Sequence, residues 1–364
     1  MKKIILIIDS LAGGGTQHFL KNFSEQMINK NKHEIHILCF YDYKEKNLNF
    51  PSEIIIKFFS LPVNNDNTFF FNKFIHNIKK ILFLRKNLKN INPNAAISFI
   101  GRTNILFIIS SFGLKFKKII SERNNPKKQS LGIIWNFLRK ILYKRADLIT
   151  VNSIPAYNFL IKSINVNKVF FLPNIIKNYI NHKTDFKIKK NILSIGRLEP
   201  QKNYFFLLKA FSELIKTNRD YQLNILGEGS QKKSLIEYAQ KLNIDKNVKF
   251  LGYKDNIEIY CFNADLLIMT SFYEGMPNAL LEALSLSLPT IVSSSIADSI
   301  PFYSKHRYLI YNQNDKIDLL NKINNLLKDE DLRYKIGNLS RFYVVNFNRN
   351  SINVWLNFLN KNVI

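Results

Sequence analysis

Two carboxylates separated by seven residues, Glu274 and Glu282, lie in the stretch of this sequence whose residue types point most directly to chemistry. Pro277, between them, fits the first position of a helix, because its missing N–H would be unpaired there in any case. Gly275 allows a ligand to come close to the backbone. The spacing therefore predicts that Glu274 lies in a loop, and that Glu282 lies about one turn inside a helix that begins near Asn278.

The predicted helix start adds an anion-binding element to the two carboxylates. The first N–H groups of a helix have no partner within the helix and lie at the positive end of its dipole, so they favour phosphate. Ionised carboxylates only accept hydrogen bonds, which suits the hydroxyl groups of a sugar. A ligand with both phosphate and hydroxyl groups, such as a nucleotide sugar, fits this combination.

Two cations, Arg197 and Lys202, form the second group of candidate residues. They follow an apolar run and lie close to the start of another predicted helix. Cations placed there would neutralise the charge that develops on a diphosphate leaving group, and such stabilisation is commonly the largest contribution to catalysis. Taken alone, Arg197 could instead form a surface ion pair with Glu199, and Glu282 could be a solvated helix position. The joint occurrence of these residues carries the interpretation.

Short, continuous apolar runs alternate with helical patterns along the chain, which predicts parallel strands buried on both faces. The runs cover residues 4–8, 35–40, 95–100, 118–121 and 148–151, and then 192–195, 223–226, 248–251, 266–269 and 290–293. The predicted fold class is α/β, with two doubly wound domains whose ligands bind at the carboxyl ends of the strands. We expect an N-terminal domain at 1–174, a polar linker at 175–190, a C-terminal domain at 191–340, and a helix at 341–364 that packs back toward the N-terminal domain.

These motifs resemble glycosyltransferase family 4, a family of retaining enzymes of GT-B architecture, in which two Rossmann-like domains face each other across a cleft. The matching segments are 196–198 with 201–203, 227–229, 250–252 and 274–282 in the C-terminal half, and 13–16, 97–99 with 103–104, and 121–124 in the N-terminal half. They look like the bacterial branch that adds sugars to undecaprenyl-diphosphate-linked oligosaccharides. The resemblance implies a transferase that moves an N-acetylhexosamine or a hexose from a UDP-sugar to a lipid-linked oligosaccharide or polysaccharide acceptor.

The resemblance also implies a role for each candidate residue. Arg197 and Lys202 would hold the donor diphosphate, Glu274 would contact the transferred sugar, and Glu282 would contact the ribose; the first three form the expected catalytic set. Further donor-binding residues are expected at Gly14, Gly15, Gly196, Gly227, Gly229, Tyr253, Gly275, Met276, Pro277, Asn278 and Ala279. The residues expected on the acceptor side are Thr16, Ser121, Glu122, Arg123 and Asn124.

Two segments depart from the family pattern. Gln17 stands where the family often has a glutamate, and residues 297–303 replace a glycine-rich turn followed by Pro-Glu-Ile. Both departures leave the identity of the donor sugar open. No group of His, Cys or carboxylate residues has the spacing of a metal site, so we expect metal-independent chemistry without a cofactor. The resemblance implies that the departing phosphate takes the acceptor proton.

The formal net charge of +26 is concentrated in the N-terminal half, where residues 1–185 carry 29 Lys and Arg against 10 Asp and Glu. The basic segments 69–88 and 115–145 predict docking on an anionic membrane surface. Asp9 ends the first apolar run too early for a signal peptide, and two isolated cysteines predict reduced thiols. We therefore expect a cytoplasmic protein bound peripherally to the inner face of the membrane. A basic nucleic-acid-binding protein and a non-catalytic scaffold are the alternatives.

Overall fold

The computed structural model of the chain describes residues 2–29, 33–44, 48–59, 70–177, 179 and 187–363. The chain divides into two compact units. Unit 1 comprises Met1–Ile175 with Asn350–Ile364, and unit 2 comprises Ile176–Arg349. Residue 175 of the predicted linker therefore belongs to unit 1 and its remaining residues to unit 2, while residues 178 and 180–186 of that linker lie outside the described residues.

Unit 1 contains a parallel sheet whose strand order is β3-β2-β1-β4-β5-β6-β7. Its strands are β1 (Lys2–Ser10), β2 (His33–Tyr41), β3 (Ile55–Phe58), β4 (Ala95–Phe99), β5 (Lys117–Glu122), β6 (Leu148–Val151) and β7 (Val169–Phe171). The apolar residues in the middle of β1 are fully buried, because helices cover both faces of a parallel sheet. The carboxyl ends of β1, β4 and β5 lie side by side, so the loops that follow them share one edge.

Helices form a layer on each face of this sheet. They are α1 (Gly15–Asn29), α2 (Phe70–Ile91), α3 (Gly101–Ser110), α4 (Ile133–Leu142) and α5 (Ile154–Leu160). Residues of α2, α3, α4 and α5 pack in one apolar cluster. Residues of α1 pack in the other cluster, together with Trp355, Phe358 and Leu359 near the end of the chain.

The basic segment 69–88 corresponds largely to α2, although residue 69 lies outside the described residues. Leu84 and Leu88 are buried against the sheet, whereas Phe74, Ile78 and Leu82 are exposed. Lys80 points inward, and its Nζ donates to the Tyr41 hydroxyl at 2.9 Å. The apolar side chains of α2 are therefore divided between the core and the surface.

Unit 2 contains a second parallel sheet, with the order β10-β9-β8-β11-β12-β13. Its strands are β8 (Asn191–Ile195), β9 (Gln222–Leu226), β10 (Val248–Gly252), β11 (Leu266–Met269), β12 (Thr290–Ser293) and β13 (Ile310–Tyr311). Its helices are α6 (Tyr204–Thr217), α7 (Lys232–Lys241), α8 (Glu258–Phe262), α9 (Asn278–Ser285), α10 (Ser294–Ala297) and α11 (Lys316–Lys328), followed by α12 (Glu330–Asn362). The predicted α/β class with two doubly wound sheets is confirmed.

Helix α12 begins in unit 2 and ends in unit 1. Within unit 1, the buried Trp355 donates from Nε1 to the carbonyl of Pro173 at 2.8 Å. Within unit 2, the buried Asn348 accepts from Ile176 N at 3.0 Å and donates to its carbonyl at 3.1 Å. These bonds join α12 to the residues on either side of the boundary between the units. Throughout the described ranges, no helix is both long enough and apolar enough to cross a bilayer.

Candidate active site

The loop after β8 positions the two predicted cations of unit 2. Lys202 ends a short 3-10 turn, Pro200–Lys202, and Asn203 then adopts a left-handed conformation before α6 begins. The Thr270 hydroxyl, at the end of β11, donates to the Lys202 carbonyl at 2.7 Å. Gln201 donates from its side chain to the Tyr273 carbonyl at 2.6 Å. The loops after β8 and β11 are thus fastened to each other, as expected where neighbouring parallel strands end together.

Lys202 and Glu274 form an ion pair at the centre of this arrangement. The Lys202 Nζ lies 2.6 Å from Glu274 Oε1, and the two side chains are only 14% and 10% exposed. A Cβ at position 196 would lie 2.9 Å from Lys202 Cε, so Gly196 leaves the space that the lysine side chain occupies. The structure therefore brings Gly196 and Lys202 together with Glu274, which lies 72 positions after Lys202 in the sequence.

Gly227 and Gly229 allow the loop after β9 to pack against the loop after β8. Gly227 has φ of +146°, and a Cβ there would lie 1.9 Å from the carbonyl oxygen of Gly196. A Cβ at Gly229 would lie 2.4 Å from the carbonyl oxygen of Leu198. The contact between the two backbones explains why both positions need glycine, and donor binding at these two residues stays a prediction.

Arg197 is exposed and has no ion-pair partner in the part of the chain that the structure describes. The alternative pairing with Glu199 does not form, because that carboxylate accepts from Ser230 instead, from N at 2.9 Å and from Oγ at 2.8 Å. These hydrogen bonds hold the pKa of Glu199 below its usual range, and the charge of Arg197 lowers it further without a direct ion pair. The Arg197 guanidinium therefore remains available to a ligand.

Helix α9 begins at Asn278, as predicted, but the place of Pro277 differs. Pro277 is its N-cap rather than its first residue, and its carbonyl accepts from the N–H groups of Leu280 and Leu281, both at 3.2 Å. Pro277 itself is extended, with φ of −77° and ψ of 102°, and its missing N–H takes no hydrogen bond away from the helix. The predicted apolar face is confirmed, since Leu280, Leu281 and Leu284 are buried. Of the remaining motif residues, Met276 and Asn278 are buried, and Gly275 and Ala279 are partly exposed.

Glu282 lies one turn inside α9, as predicted, and is partly buried. Burial raises its pKa to about 7, with a smaller contribution in the same direction from Asp255; nearby Lys177 opposes the shift. Tyr253 follows β10 at the carboxyl end of the sheet. Burial raises the pKa of its phenol, and the charges of Asp255 and Glu282 raise it further. Sequence reasoning missed Lys177 because that residue lies in the segment predicted as a linker.

The candidate residues at the glycine turn of unit 1 lie around the start of α1. Gly15 and Thr16 belong to its first turn, and the Gly14 carbonyl accepts from His18 N at 2.9 Å. Gln17, the departure from the family pattern, turns back and donates from Nε2 to the Ser10 carbonyl at 3.2 Å. The amide thus closes the turn onto the end of β1, which a carboxylate could not do by donation.

Ser121, Glu122 and Arg123 lie in the interior of unit 1 and already have partners there. Tyr143 donates its hydroxyl proton to Glu122 Oε2 at 2.8 Å. The Arg123 guanidinium donates to Ser121 Oγ at 2.8 Å and to Asn174 Oδ1 at 2.7 Å. It also lies 3.8 Å from the centroid of the Phe19 ring. These three residues lie at the end of β5 and directly after it. Asn124 is partly exposed, so within this segment it is the residue that a ligand can reach.

No group of three or more His, Cys, Asp and Glu side chains arranged to hold a metal ion occurs within the described ranges. The candidate residues of unit 2 offer two cations, two carboxylates and a helix start. Such a set suits a diphosphate that is attached to hydroxyl-bearing sugars.

Comparison with known proteins points to one family. The family described as "Glycosyl transferases group 1" matches residues 176–341. The chain is 30% identical to the GalNAc-alpha-(1->4)-GalNAc-alpha-(1->3)-diNAcBac-PP-undecaprenol alpha-1,4-N-acetyl-D-galactosaminyltransferase of Campylobacter jejuni over 349 residues, which cover 93% of the chain and 92% of the relative. It is 27% identical over 365 residues to a second enzyme of that organism, N-acetylgalactosamine-N,N'-diacetylbacillosaminyl-diphospho-undecaprenol 4-alpha-N-acetylgalactosaminyltransferase, with 94% of each chain covered.

The fold is also similar to that of solved structures. A structure of a TarM variant from S. aureus, in complex with Fondaparinux, alpha-GlcNAc-glycerol and UDP, matches with a TM-score of 0.81 and covers 99% of this chain and 100% of that one. Its sequence identity is 15%, so this likeness concerns the fold alone. Together with the two sheets, it confirms the predicted GT-B class of two Rossmann-like domains.

Proposed function

The chain belongs to the group 1 glycosyltransferases, which include the family 4 enzymes that its motifs resemble, and from this premise we propose that it transfers a sugar from a UDP-sugar to a lipid-linked diphosphate acceptor with retention of configuration. The observation that carries the proposal is the partly buried pair of Lys202 and Glu274, formed between the loops after β8 and β11. It places a cation for phosphate and a carboxylate for hydroxyl groups side by side.

In the proposed transfer, each of the candidate side chains acts on one part of the donor. The bond between the sugar C1 and the β-phosphate oxygen breaks, and a bond forms from the acceptor hydroxyl oxygen to C1 on the same face. The acceptor proton passes to the departing phosphate oxygen. Lys202 and Arg197 stabilise the charge that develops on the diphosphate, which is the part of the reaction where fixed cations act most strongly. Glu274 accepts from a hydroxyl of the transferred sugar, and Glu282 accepts from the ribose.

We favour an N-acetylhexosamine as the transferred sugar and an undecaprenyl-diphosphate-linked oligosaccharide as the acceptor. The names of the two Campylobacter relatives carry both features, and these relatives cover nearly the whole chain. The 297–303 segment keeps the choice between N-acetylhexosamine and hexose open to experiment, because it differs from the family pattern near the end of β12.

The test measures turnover with a panel of UDP-sugars and an undecaprenyl-diphosphate-linked oligosaccharide. The readouts are the amount of UDP released and the mass of the product. The wild-type chain should extend the acceptor by one sugar with at least one UDP-N-acetylhexosamine. Lys202→Met should lower turnover about 100-fold or more, because it removes a charge that acts on the leaving group. Lys190→Met, which removes a cation paired with the exposed Asp220, is the matched control. Unchanged turnover in Lys202→Met would contradict the site assignment and favour a non-catalytic role.

We further propose that unit 1 docks on an anionic membrane surface through an apolar face of α2 and α4. Ile133 is 91% exposed and Phe137 is 62% exposed on α4, and α2 presents Phe74, Ile78 and Leu82. Both helices pack in the same layer against the sheet. Exposed cations accompany these side chains at Lys73, Lys79, Lys86, Lys127, Lys128, Lys140 and Lys144. Helices that carry both exposed apolar side chains and exposed lysines fit the headgroup region of a bilayer rather than open water.

Sedimentation with vesicles tests this docking face. Vesicles that contain anionic lipid should retain the wild-type chain, while the double variant Ile133→Glu/Phe137→Glu should remain in solution. Phe342→Glu changes an exposed aromatic side chain of α12 in the same way and serves as the control. Equal retention of the double variant and the control would contradict the proposal.

A further inference from the structure

Unit 1 contains a cavity at the amino-terminal edge of its sheet, away from the residues that are expected to bind the donor or the acceptor. Its volume is about 280 Å³, and it is lined by Ile108, Phe112, Gly113, Lys118 and Arg145. Lys118 lies at the start of β5, whereas Ser121 and Glu122, expected on the acceptor side, end that strand. The cavity is therefore separate from the candidate site residues of this unit.

The end of α3 forms one side of the cavity. Carbonyl groups at the carboxyl end of a helix carry partial negative charge, which disfavours a bound anion. Here the carbonyls of Ser110 and Phe112 both accept from Arg85 Nη1, at 3.0 and 2.8 Å. Gly113 follows with φ of +75°, and a Cβ there would meet no heavy atom within 4 Å. The guanidinium therefore offsets the charge of the helix end, and the glycine leaves the cavity open.

Lys118 and Arg145 give the cavity its positive charge. Arg145 is exposed, its Cζ lies 5.7 Å from the centroid of the Phe112 ring, and it forms no ion pair with any residue that the structure describes. Lys118 donates from Nζ to the Leu114 carbonyl at 2.9 Å, and its ammonium group has two further donors. Asp147 adds one negative charge beside them, and its carboxylate accepts from the backbone N–H of Lys118 at 2.7 Å. The cations therefore exceed this carboxylate in charge.

Exposed apolar side chains lie next to these cations. Phe112, in the lining itself, is 66% exposed. Ile109 in the last turn of α3 and Ile141 in the last turn of α4 are also exposed, and the two helices pack against each other. The boundary between lipid headgroups and acyl chains accommodates apolar side chains together with cations. The surroundings therefore favour an anion that carries an apolar portion.

We propose that this cavity binds the phosphate group of an anionic phospholipid, with Arg145 and Lys118 on the phosphate oxygens and Phe112 beside the apolar part of the lipid. A guanidinium group matches the geometry of phosphate oxygens, and an ammonium group adds a second charge. Pockets for drug-sized ligands span roughly 300–1,000 Å³, so this cavity suits a headgroup phosphate better than a whole nucleotide sugar. The proposal rests on the proposed docking of unit 1 at a membrane, but not on the proposed sugar transfer.

The experiment is a calorimetric titration of the full chain with dihexanoyl-phosphatidylglycerol, kept below the concentration at which it forms micelles. The wild type should bind this lipid at a saturable site, and about tenfold more tightly than inorganic phosphate, which has no apolar part to contact Phe112. Dihexanoyl-phosphatidylcholine should also bind about tenfold more weakly, because the two cations repel its choline group. Arg145→Met should weaken binding of the anionic lipid about tenfold or more, because it removes a charged donor to the phosphate.

Two further variants separate this site from general electrostatics. Arg219→Met removes an exposed arginine of unit 2 and should leave the titration unchanged. Phe112→Ala should weaken binding of the lipid and leave binding of inorganic phosphate as it is. An equal loss in the two arginine variants, or no saturable binding of the lipid, would overturn the inference. Binding of inorganic phosphate as tight as that of the lipid would also overturn it, in favour of a site for a free anion.

Retention of the wild-type chain on anionic vesicles, measured in parallel, distinguishes the failure of this inference from that of the proposed docking. Retention without binding of the soluble lipid would remove the headgroup site and leave the docking face intact. A wild-type chain that the vesicles do not retain would remove the docking and the inference with it.

Discussion

At the scale of single residues, Gly227 occupies a position that has no space for a Cβ atom. Its φ of +146° is unfavourable for any residue with a Cβ, and the added atom would lie 1.9 Å from the Gly196 carbonyl oxygen. Gly227→Ala should therefore lower the free energy of unfolding by about 3 kcal/mol. It should also lower turnover, because Gly196 adjoins Lys202. Urea unfolding measures the first effect.

Gly15→Ala is the comparison for that measurement. A Cβ at Gly15 would meet no heavy atom within 4 Å, and Gly15 lies in the first turn of α1. Its stability should change by less than about 1 kcal/mol. A loss as small for Gly227→Ala would show that the loops after β8 and β9 can separate without cost.

The residues of the candidate site could be predicted from the sequence more readily than the residues that they contact. The roles of Glu274 and Lys202 were both expected, but nothing in the sequence predicts that they pair at 2.6 Å, because 72 positions separate them and only the sheet brings their loops together. Ser230 satisfies Glu199 for the same reason.

At the scale of elements, the end of α12 is part of the core of unit 1. Trp355 is fully buried, contacts the rings of Phe19 and Phe23, and bonds to the Pro173 carbonyl. Trp355→Ala should therefore cost unit 1 about 3 to 5 kcal/mol through the cavity it leaves. Hydrogen exchange should show faster opening of β1 and α1, with β8 and α6 of unit 2 much less affected. Phe342→Ala, at an exposed position of the same helix, should leave both units unchanged.

Strands that are buried along their whole length could be predicted from the sequence, whereas three of the four strands at the edges of the described sheets could not. The runs at 148–151, 266–269 and 290–293 coincide with β6, β11 and β12, because each strand is buried on both faces along its whole length. The short strands β3, β7 and β13 were not predicted, and they lie at or next to sheet edges, where fewer apolar residues are needed. Helix α2 was predicted, but its inward-facing Lys80 breaks the pattern by which its buried side would be recognised.

At the scale of the whole molecule, the charge of +26 should make membrane docking sensitive to salt. At about 0.5 M salt the Debye length falls to roughly 4 Å, so attraction between surface lysines and anionic headgroups is largely screened. Retention on anionic vesicles should therefore fall steeply between about 0.05 and 0.5 M salt. Random-sequence DNA, tested in parallel by gel shift at moderate salt, should not be retained. Tighter retention of DNA than of vesicles would favour the nucleic-acid alternative.

The division of unit 1 into Met1–Ile175 and Asn350–Ile364 has a consequence for how the protein is made. A ribosome that has completed β7 has supplied the whole unit 1 sheet, but not the Trp355 side chain that fills its core against α1. While unit 2 is being synthesised, the apolar surface of unit 1 that Trp355 covers in the folded protein therefore stays exposed. A chain that terminates before Trp355 should consequently be prone to aggregation, even though every residue of the candidate site in unit 2 has been translated.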